Sequence, residues 1–340
     1  MRFKSTKKLL TLSLGLAFTA FPARHAKADT VLIGAGATFP YPIYSKWFDE
    51  YHKAHPEVKI NYQSIGSGGG IKQFTAKTVD FGATDGPMSD KELFAVDGKS
   101  LHVPSVLGAV VPTWNLPDVN ELNFTGPLLA DIYMGNIKMW DDAAIKDLNP
   151  DAKLPSTPIL VVRRADGSGT TYCFTDYLGK VSPAWKSKVG VGKAVNWPIG
   201  LGGKGNEGVT GLVKQNKGAI GYVELIYAKE NKLPYGAIKN KAGKFVKASV
   251  ETVSAAAAGV PMPKDFRVSI SDAGGKNSYP ISTFTWLLVY ENNPGGKGAV
   301  LKGFLEWMLE AGQVIAPQLG YAPLPVEVKA KVATAIKSIR

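Results

Sequence analysis

A chain of 340 residues with 45% hydrophobic and 20% charged residues has room for about two domains and enough apolar side chain to bury a core, which excludes a metal-stapled miniature fold and a wholly disordered chain. Its 40 Lys and Arg against 28 Asp and Glu give a net charge of +12, a balance that invites a polyanionic partner until the charges are located.

Arg2, Lys4, Lys7 and Lys8 precede an apolar run from Leu9 to Phe21, and Ala26-Lys27-Ala28 follows it. The run is too short for the ~20 residues that span a bilayer. A basic start, an apolar middle and a small-x-small end read as a cleaved export leader over residues 1–28. Its removal takes Arg2, Lys4, Lys7, Lys8, Arg24 and Lys27 and no acid, which leaves 34 bases against 28 acids, or about +6. Cys173 is the sole cysteine, so no internal disulfide forms and no thiol at the leader boundary can take a lipid. The expectation is an exported, unlipidated, soluble protein of the periplasm, with Cys173 a small buried hydrophobe.

Strands and helices alternate along the rest of the chain, which predicts an α/β class. Val31-Leu32-Ile33 runs into Gly34-Ala35-Gly36, and Pro40 then opens a helix carrying Ile43, Trp47 and Tyr51 at four-residue spacing. Val58 to Ile65 alternates as a strand, Gly66-Ser67-Gly68-Gly69-Gly70 follows, and a helix is predicted from near Ile71. Short strands are predicted at Val79 to Ala83 and Val106 to Val111. Ile159 to Val162 leads through Arg163 and Arg164 into Asp166-Gly167-Ser168-Gly169-Thr170-Thr171 and another helix. Ile220 to Val223 reads as a strand, and Lys229 to Lys247 as a surface excursion or hairpin. Ile281 to Tyr290 is a long β-branched and aromatic strand. Leu301, Phe304, Leu305 and Met308 then mark one amphipathic helix, and Pro325 starts a last one with Val328, Val332 and Ile336 on one face.

Thr38, Ser67 and the trio Ser168, Thr170 and Thr171 each lie where a Gly-rich turn opens a helix. Such a terminus offers unpaired N–H groups and the positive end of the helix dipole, a ready anion site. The plainer reading makes each hydroxyl an N-cap worth about 1 kcal/mol to its helix; three such turns together point to one shared anion. Arg164, four residues before Ser168, can fork onto two oxygens of a tetrahedral anion, and Asp166 is near enough to pair with it. Other chemistries lack their residues. Gly200-Leu201-Gly202-Gly203-Lys204-Gly205 fails as a nucleotide phosphate loop because Gly205 stands where a hydroxyl is required. His52 and His55 read as solvated helix residues, and no metal-ligand set or other cofactor site is evident. No G-x-S-x-G elbow is present.

These residues resemble the phosphate-binding proteins of high-affinity phosphate ABC transporters. The likeness is carried by Gly34-Ala35-Gly36-Ala37-Thr38-Phe39-Pro40, Ile65-Gly66-Ser67-Gly68-Gly69-Gly70, Asp80-Phe81-Gly82-Ala83-Thr84-Asp85, the run from Val161 to Thr170, Trp197 to Asn206, Gly218 to Glu224 and Tyr321-Ala322-Pro323-Leu324-Pro325. It implies a two-lobe clamshell, each lobe a β-sheet flanked by helices. Residues 29–113 with 277–340 would form lobe one and 114–276 lobe two. It also implies a monomer that is not an enzyme and binds no nucleic acid, and that delivers inorganic phosphate to membrane permease subunits served by a cytoplasmic ATPase. Position by position, the phosphate ligands would be Thr38, Phe39 through its N–H, Ser67, Asp85, Arg164, Ser168, Gly169 and Thr170, with Asp166 orienting the arginine. This chain has Gly68 where some relatives carry a second serine, and Thr84 and Gly86 on either side of Asp85.

A carboxylate facing an anion repels it unless the anion keeps a proton to donate. Phosphate keeps one at neutral pH and sulfate does not, so Asp85 would select between them. A secreted phosphatase and a site for another tetrahedral oxyanion such as sulfate are the competing readings; the first lacks a nucleophile and the second conflicts with Asp85.

Overall fold

The computed structural model describes residues 1–2 and 30–340; the apolar run and cleavage signature of the predicted leader lie outside the described residues. Eleven strands follow in chain order: β1 (Thr30–Gly36), β2 (Val58–Ser64), β3 (Phe81–Thr84), β4 (Ser100–Trp114), β5 (Asn123–Phe124), β6 (Leu160–Arg164), β7 (Leu201–Gly203), β8 (Ala219–Glu224), β9 (Ala237–Lys239), β10 (Phe245–Val246) and β11 (Ser282–Tyr290). Eight of them form one sheet in the order β2-β1-β3-β11-β4-β8-β6-β7. At each end lies a parallel trio, and the antiparallel pair β4 and β11 joins the trios. The α/β class is as predicted, and the strands of both halves share one hydrogen-bonded sheet.

β4 makes that continuity. It pairs with β11 through Ala109 and with β8 from Val110 onward, so one strand carries the chain from one half into the other. It runs well beyond the Val106 to Val111 stretch that its apolar run suggests. Pro104, which would normally end a central strand for want of an N–H, is accommodated because the ladder shifts register between Thr285 and Trp286, opposite it.

Aromatic side chains from both halves pack into one continuous buried core. Helix Tyr41–Ala54 turns Ile43, Trp47 and Tyr51 inward and meets helix Gly298–Trp307 from the far end of the chain, with Phe304 5.4 Å from Phe48 and 5.3 Å from Tyr51 between ring centroids. Trp47 Nε1 donates to the Gly312 carbonyl at 2.9 Å. The predicted inward face of the last helix, Val326–Ala335, is also buried. In the other half of the chain, helix Gly169–Val181 stacks Phe174 on Tyr222 of β8 at 4.3 Å. The Lys229 to Lys247 stretch contains the end of helix Leu225–Glu230 and the antiparallel pair β9–β10, a hairpin as expected.

Helix Ser67–Thr75 begins four residues earlier than its sequence suggests, because Gly68, Gly69 and Gly70 are helical and not loop. Gly66, at φ 83°, makes the turn that a side chain would strain. Gly70 lets the helix lie directly on the sheet: a Cβ there would collide with Gly36 Cα and with the carbonyl oxygens of Ala35 and Ala83. Gly70→Ala is therefore expected to lower stability by about 2–4 kcal/mol in urea unfolding, with the midpoint shifted at constant slope. A change under about 0.5 kcal/mol would show that the helix can lift away from the strands.

Candidate anion-binding site

Strand-to-helix turns converge on one buried point. Thr38 sits in the turn between β1 and its helix. Ser67 is the first residue of the second helix, Asp85 follows β3, Arg164 ends β6, and Ser168 caps helix Gly169–Val181. Thr38, Ser67, Asp85, Arg164, Ser168 and Thr170 are all 3% exposed or less, and Phe39 and Gly169 are buried with them. Hydrogen bonds join Ser67, Asp85 and Gly169, and Arg164, Thr170 and, through Asn206, Thr38; Phe39 and Ser168 are buried next to them in the chain.

The cap reading holds for Ser168, whose Oγ accepts from Thr171 N–H at 3.0 Å. It fails for the other two turns. Thr38 and Ser67 cap nothing, and their hydroxyls instead join the two halves of the chain. Ser67 Oγ accepts from Asp85 N–H at 3.2 Å and, across the halves, from Gly169 N–H at 3.0 Å. Gly68 N–H donates to the Gly167 carbonyl at 2.8 Å beside it. Thr38 Oγ1 accepts from the backbone and side-chain N–H groups of Asn206, at 3.1 and 2.8 Å.

The charged groups are held by the same turns. Arg164 lays its Nε and Nη2 edge on the two oxygens of Asp166, the Nε contact at 2.8 Å, and its Nη1 reaches Thr170 Oγ1 at 3.4 Å. A guanidinium carries five N–H bonds, so two remain for a ligand. Burial raises the Asp166 pKa, but the hydrogen bonds and charge of Arg164, with Gly205 N–H, bring it below the ordinary carboxylate value. Asp85 has the opposite balance. Burial pushes its carboxyl up to about 7, against the hydrogen bond from Thr285, the charge of Arg164 and the hydroxyl of Ser67, each of which pulls it down. Thr285 Oγ1 donates to Asp85 Oδ1 at 2.9 Å and Ser67 Oγ to Oδ2 at 3.4 Å.

Chemically the cluster is a ring of donors around one acceptor. The Phe39 N–H has no acceptor among the described residues, and Thr170 N–H, at the second position of its helix, has none within the helix. A Cβ on Gly169 would strike Ser67 Oγ and Asp85 Oδ2, so only glycine leaves this point open. Cys173 is buried, its thiol against the Asp85 carbonyl and pushed up in pKa by that burial, as expected of a small buried hydrophobe.

Two residues of the cluster escape the sequence reading. Thr285 comes from β11, 200 positions from Asp85, and no local pattern marks it. Asn206 stands at the second position of helix Gly205–Gln215, after β7. That is a fourth strand, Gly-rich turn and helix start, legible by the signal that finds the other three but set aside as a failed nucleotide loop.

A family model described as a PBP superfamily domain matches residues 22–311. The chain is similar to the phosphate-binding protein PstS of Pasteurella multocida, 46% identical over 333 residues that cover 96% of this chain and 94% of that one. It is also 46% identical over 312 residues to the PstS of Xylella fastidiosa (strain Temecula1), covering 90% and 85%. Among solved structures, a high-affinity periplasmic phosphate-binding protein (PfluDING) with phosphate bound matches at a TM-score of 0.74 and 22% identity, over 90% of this chain and 93% of that one; at that identity the likeness speaks for the fold.

The Asp85 carboxyl gives the structure a pH signature. With a folded pKa near 7 against an ordinary 3.8, the folded state holds the extra proton, so stability is full below about pH 4, falls as pH rises through that interval, and levels off above 7. The whole fall attributable to Asp85 is on the order of 4 kcal/mol. Glu224, fully buried and raised above its ordinary value by burial, adds in the same direction. In phosphate-free buffer, Asp85→Asn is expected to unfold at higher temperature than the parent protein at pH 8 and to lose less stability between pH 5 and 8. Superimposable pH profiles would show that Asp85 is not desolvated.

Proposed function

The chain belongs to the family of PstS phosphate-binding proteins within the PBP superfamily, and on that premise we propose that its buried donor cluster captures inorganic phosphate between two lobes for import by an ABC transporter. The observation that carries this is the carboxylate of Asp85, buried and in no ion pair among the described residues, set among hydroxyl, guanidinium and N–H donors. The ligands are Thr38, Phe39, Ser67, Asp85, Arg164, Ser168, Gly169 and Thr170, with Asp166 holding the guanidinium in orientation. Arg164 gives its two remaining N–H bonds to phosphate oxygens, a charge-assisted contact stronger than a neutral one. Asp85 accepts the proton that phosphate retains. Sulfate, with no proton to give, leaves the carboxylate unpaired and repelled, a penalty of about 3 kcal/mol or roughly a hundredfold in affinity.

Lobe one comprises residues 29–113 and 277–340, and lobe two residues 114–276. The change of partners along β4 at Ala109 and Val110 supports the first crossing. Val110 N–H donates to the Ile281 carbonyl at 2.9 Å, which sets the return crossing beside it, so closure is a hinge about two adjacent strands. Trp286 Nε1 bonds the Phe266 carbonyl and Lys331 Nζ the Met262 carbonyl, contacts that tie the last part of lobe two to lobe one. The protein is exported to the periplasm by its leader and carries no lipid. No helix among the described residues is long and apolar enough to cross a membrane. It acts as a monomer, is not an enzyme, and hands phosphate to the permease subunits and their cytoplasmic ATPase.

Calorimetry with both anions tests the chemistry. Asp85→Asn is expected to weaken phosphate binding and to narrow the preference over sulfate by roughly a hundredfold; an unchanged preference would remove Asp85 from selection. Arg164→Ala is expected to weaken phosphate binding by a hundredfold or more, on the scale of about 1.5–3 kcal/mol for each of two charge-assisted bonds. Parental affinity in that variant would place the anion elsewhere.

A further inference from the structure

We propose that Asn206 is a positioning residue that fixes the hydroxyls of Thr38 and Thr170 as donors into the cleft. The proposal rests on the phosphate reading of that cleft and adds to it a residue that touches no ligand.

The argument is one of valence. Asn206 is fully buried, and its Oδ1 accepts from the Glu224 N–H at 3.0 Å. That N–H can only donate, so it decides which way round the amide sits. The NH2 group then faces the cleft and spends one hydrogen on Thr38 Oγ1, at 2.8 Å, and the other on Thr170 Oγ1, at 3.1 Å. Each threonine oxygen accepts a second bond, Thr38 from the Asn206 backbone N–H at 3.1 Å and Thr170 from Arg164 Nη1 at 3.4 Å. A hydroxyl has two lone pairs and one proton. With both lone pairs engaged, the proton has to be given away, and among the described residues neither hydroxyl donates to a protein acceptor.

The two threonines belong to opposite lobes, so one amide sets donors on both walls of the cleft. A hydroxyl free to rotate could accept the proton of the ligand; these two can only give one. That takes Thr38 and Thr170 out of the set of acceptors for the proton of phosphate and favours the Asp85 carboxylate in that role. The backbone of β8 anchors the arrangement through Glu224, whose Oε2 in turn accepts from Ile226 N–H at 2.7 Å.

Asn206→Asp keeps the shape and reverses the polarity, turning both threonine protons toward residue 206. Calorimetry with inorganic phosphate on the purified protein is expected to show roughly a hundredfold weaker binding at pH 8 for Asn206→Asp and about tenfold for Asn206→Ala. The deficit of Asn206→Asp, relative to the parent protein at the same pH, is expected to shrink toward pH 5 as the new carboxyl regains a proton. A double-mutant cycle decides between positioning and simple packing: Asn206→Ala should cost less than about threefold once Thr38→Val and Thr170→Val have removed the hydroxyls. An equal cost in both backgrounds, or an Asn206→Asp variant that binds as well as Asn206→Ala, overturns the proposal. Should Asn206→Asp not fold, the alanine cycle decides alone. Absence of phosphate binding by the parent protein would instead overturn the phosphate reading.

Discussion

The cleft is organised by the pair of Arg164, which is buried, and Asp166, which is half-buried. An unpaired guanidinium 3% exposed would carry a desolvation cost of several kcal/mol. Asp166 removes that cost, fixes the plane of the guanidinium, and leaves two N–H bonds pointing away from the pair. Because Asp166 also accepts from Gly205 N–H, the pair ties the end of β6 to the turn that presents Asn206. One ion pair thus orients the strong donor of the site and the amide that orients two weaker ones.

Much of this site was legible in the sequence because its logic is local. A strand that ends in glycines and a hydroxyl residue before a helix carries the chemistry of an anion site in a handful of adjacent positions, and three such turns pointed to Thr38, Ser67 and the Ser168 turn. What was not legible depends on residues far apart in the chain. Thr285 meets Asp85 only because β11 lies antiparallel to β3. The early start of the helix at Ser67 depends on the contact of Gly70 with Gly36 across the sheet, whereas locally three glycines read as loop. Pro104 hid the length of β4 because the bulge that tolerates it belongs to the pairing with β11. Asn206 was hidden for another reason: its turn was tested against the residues one motif demands and not against the geometry the other three turns share.

The charge of +12 shows how a global quantity can mislead. Half of it belongs to the first 28 residues, and the groups that face the cleft are mostly uncharged. Fixed N–H and O–H dipoles suit a small anion better than lysines would. They need no counter-charges, they lose little side-chain freedom on binding, and they can be aimed at separate oxygens. Their strength comes from the absence of water, which their burial provides.

On the proposed two-lobe reading, closure and recognition are one event. The bonds from Thr38 to Asn206, Ser67 to Gly169 and Gly68 to Gly167 all join the two halves of the chain, and all lie in the buried donor cluster. Away from it, Lys193 meets Glu92 at 3.0 Å with the acid about one third exposed, an ion pair that solvent reduces to at most about 1 kcal/mol. Arg267 adds bonds to the Met88 carbonyl at 2.9 Å and to Asp90 at 2.7 Å, so the halves are joined at the buried cluster and also away from it. In the proposed clamshell, an anion that fits poorly would forfeit bonds that also join the halves, and opening about Ala109 and Val110, where β4 changes partners, would carry Thr38, Ser67 and Asp85 away from Arg164 and Thr170 together.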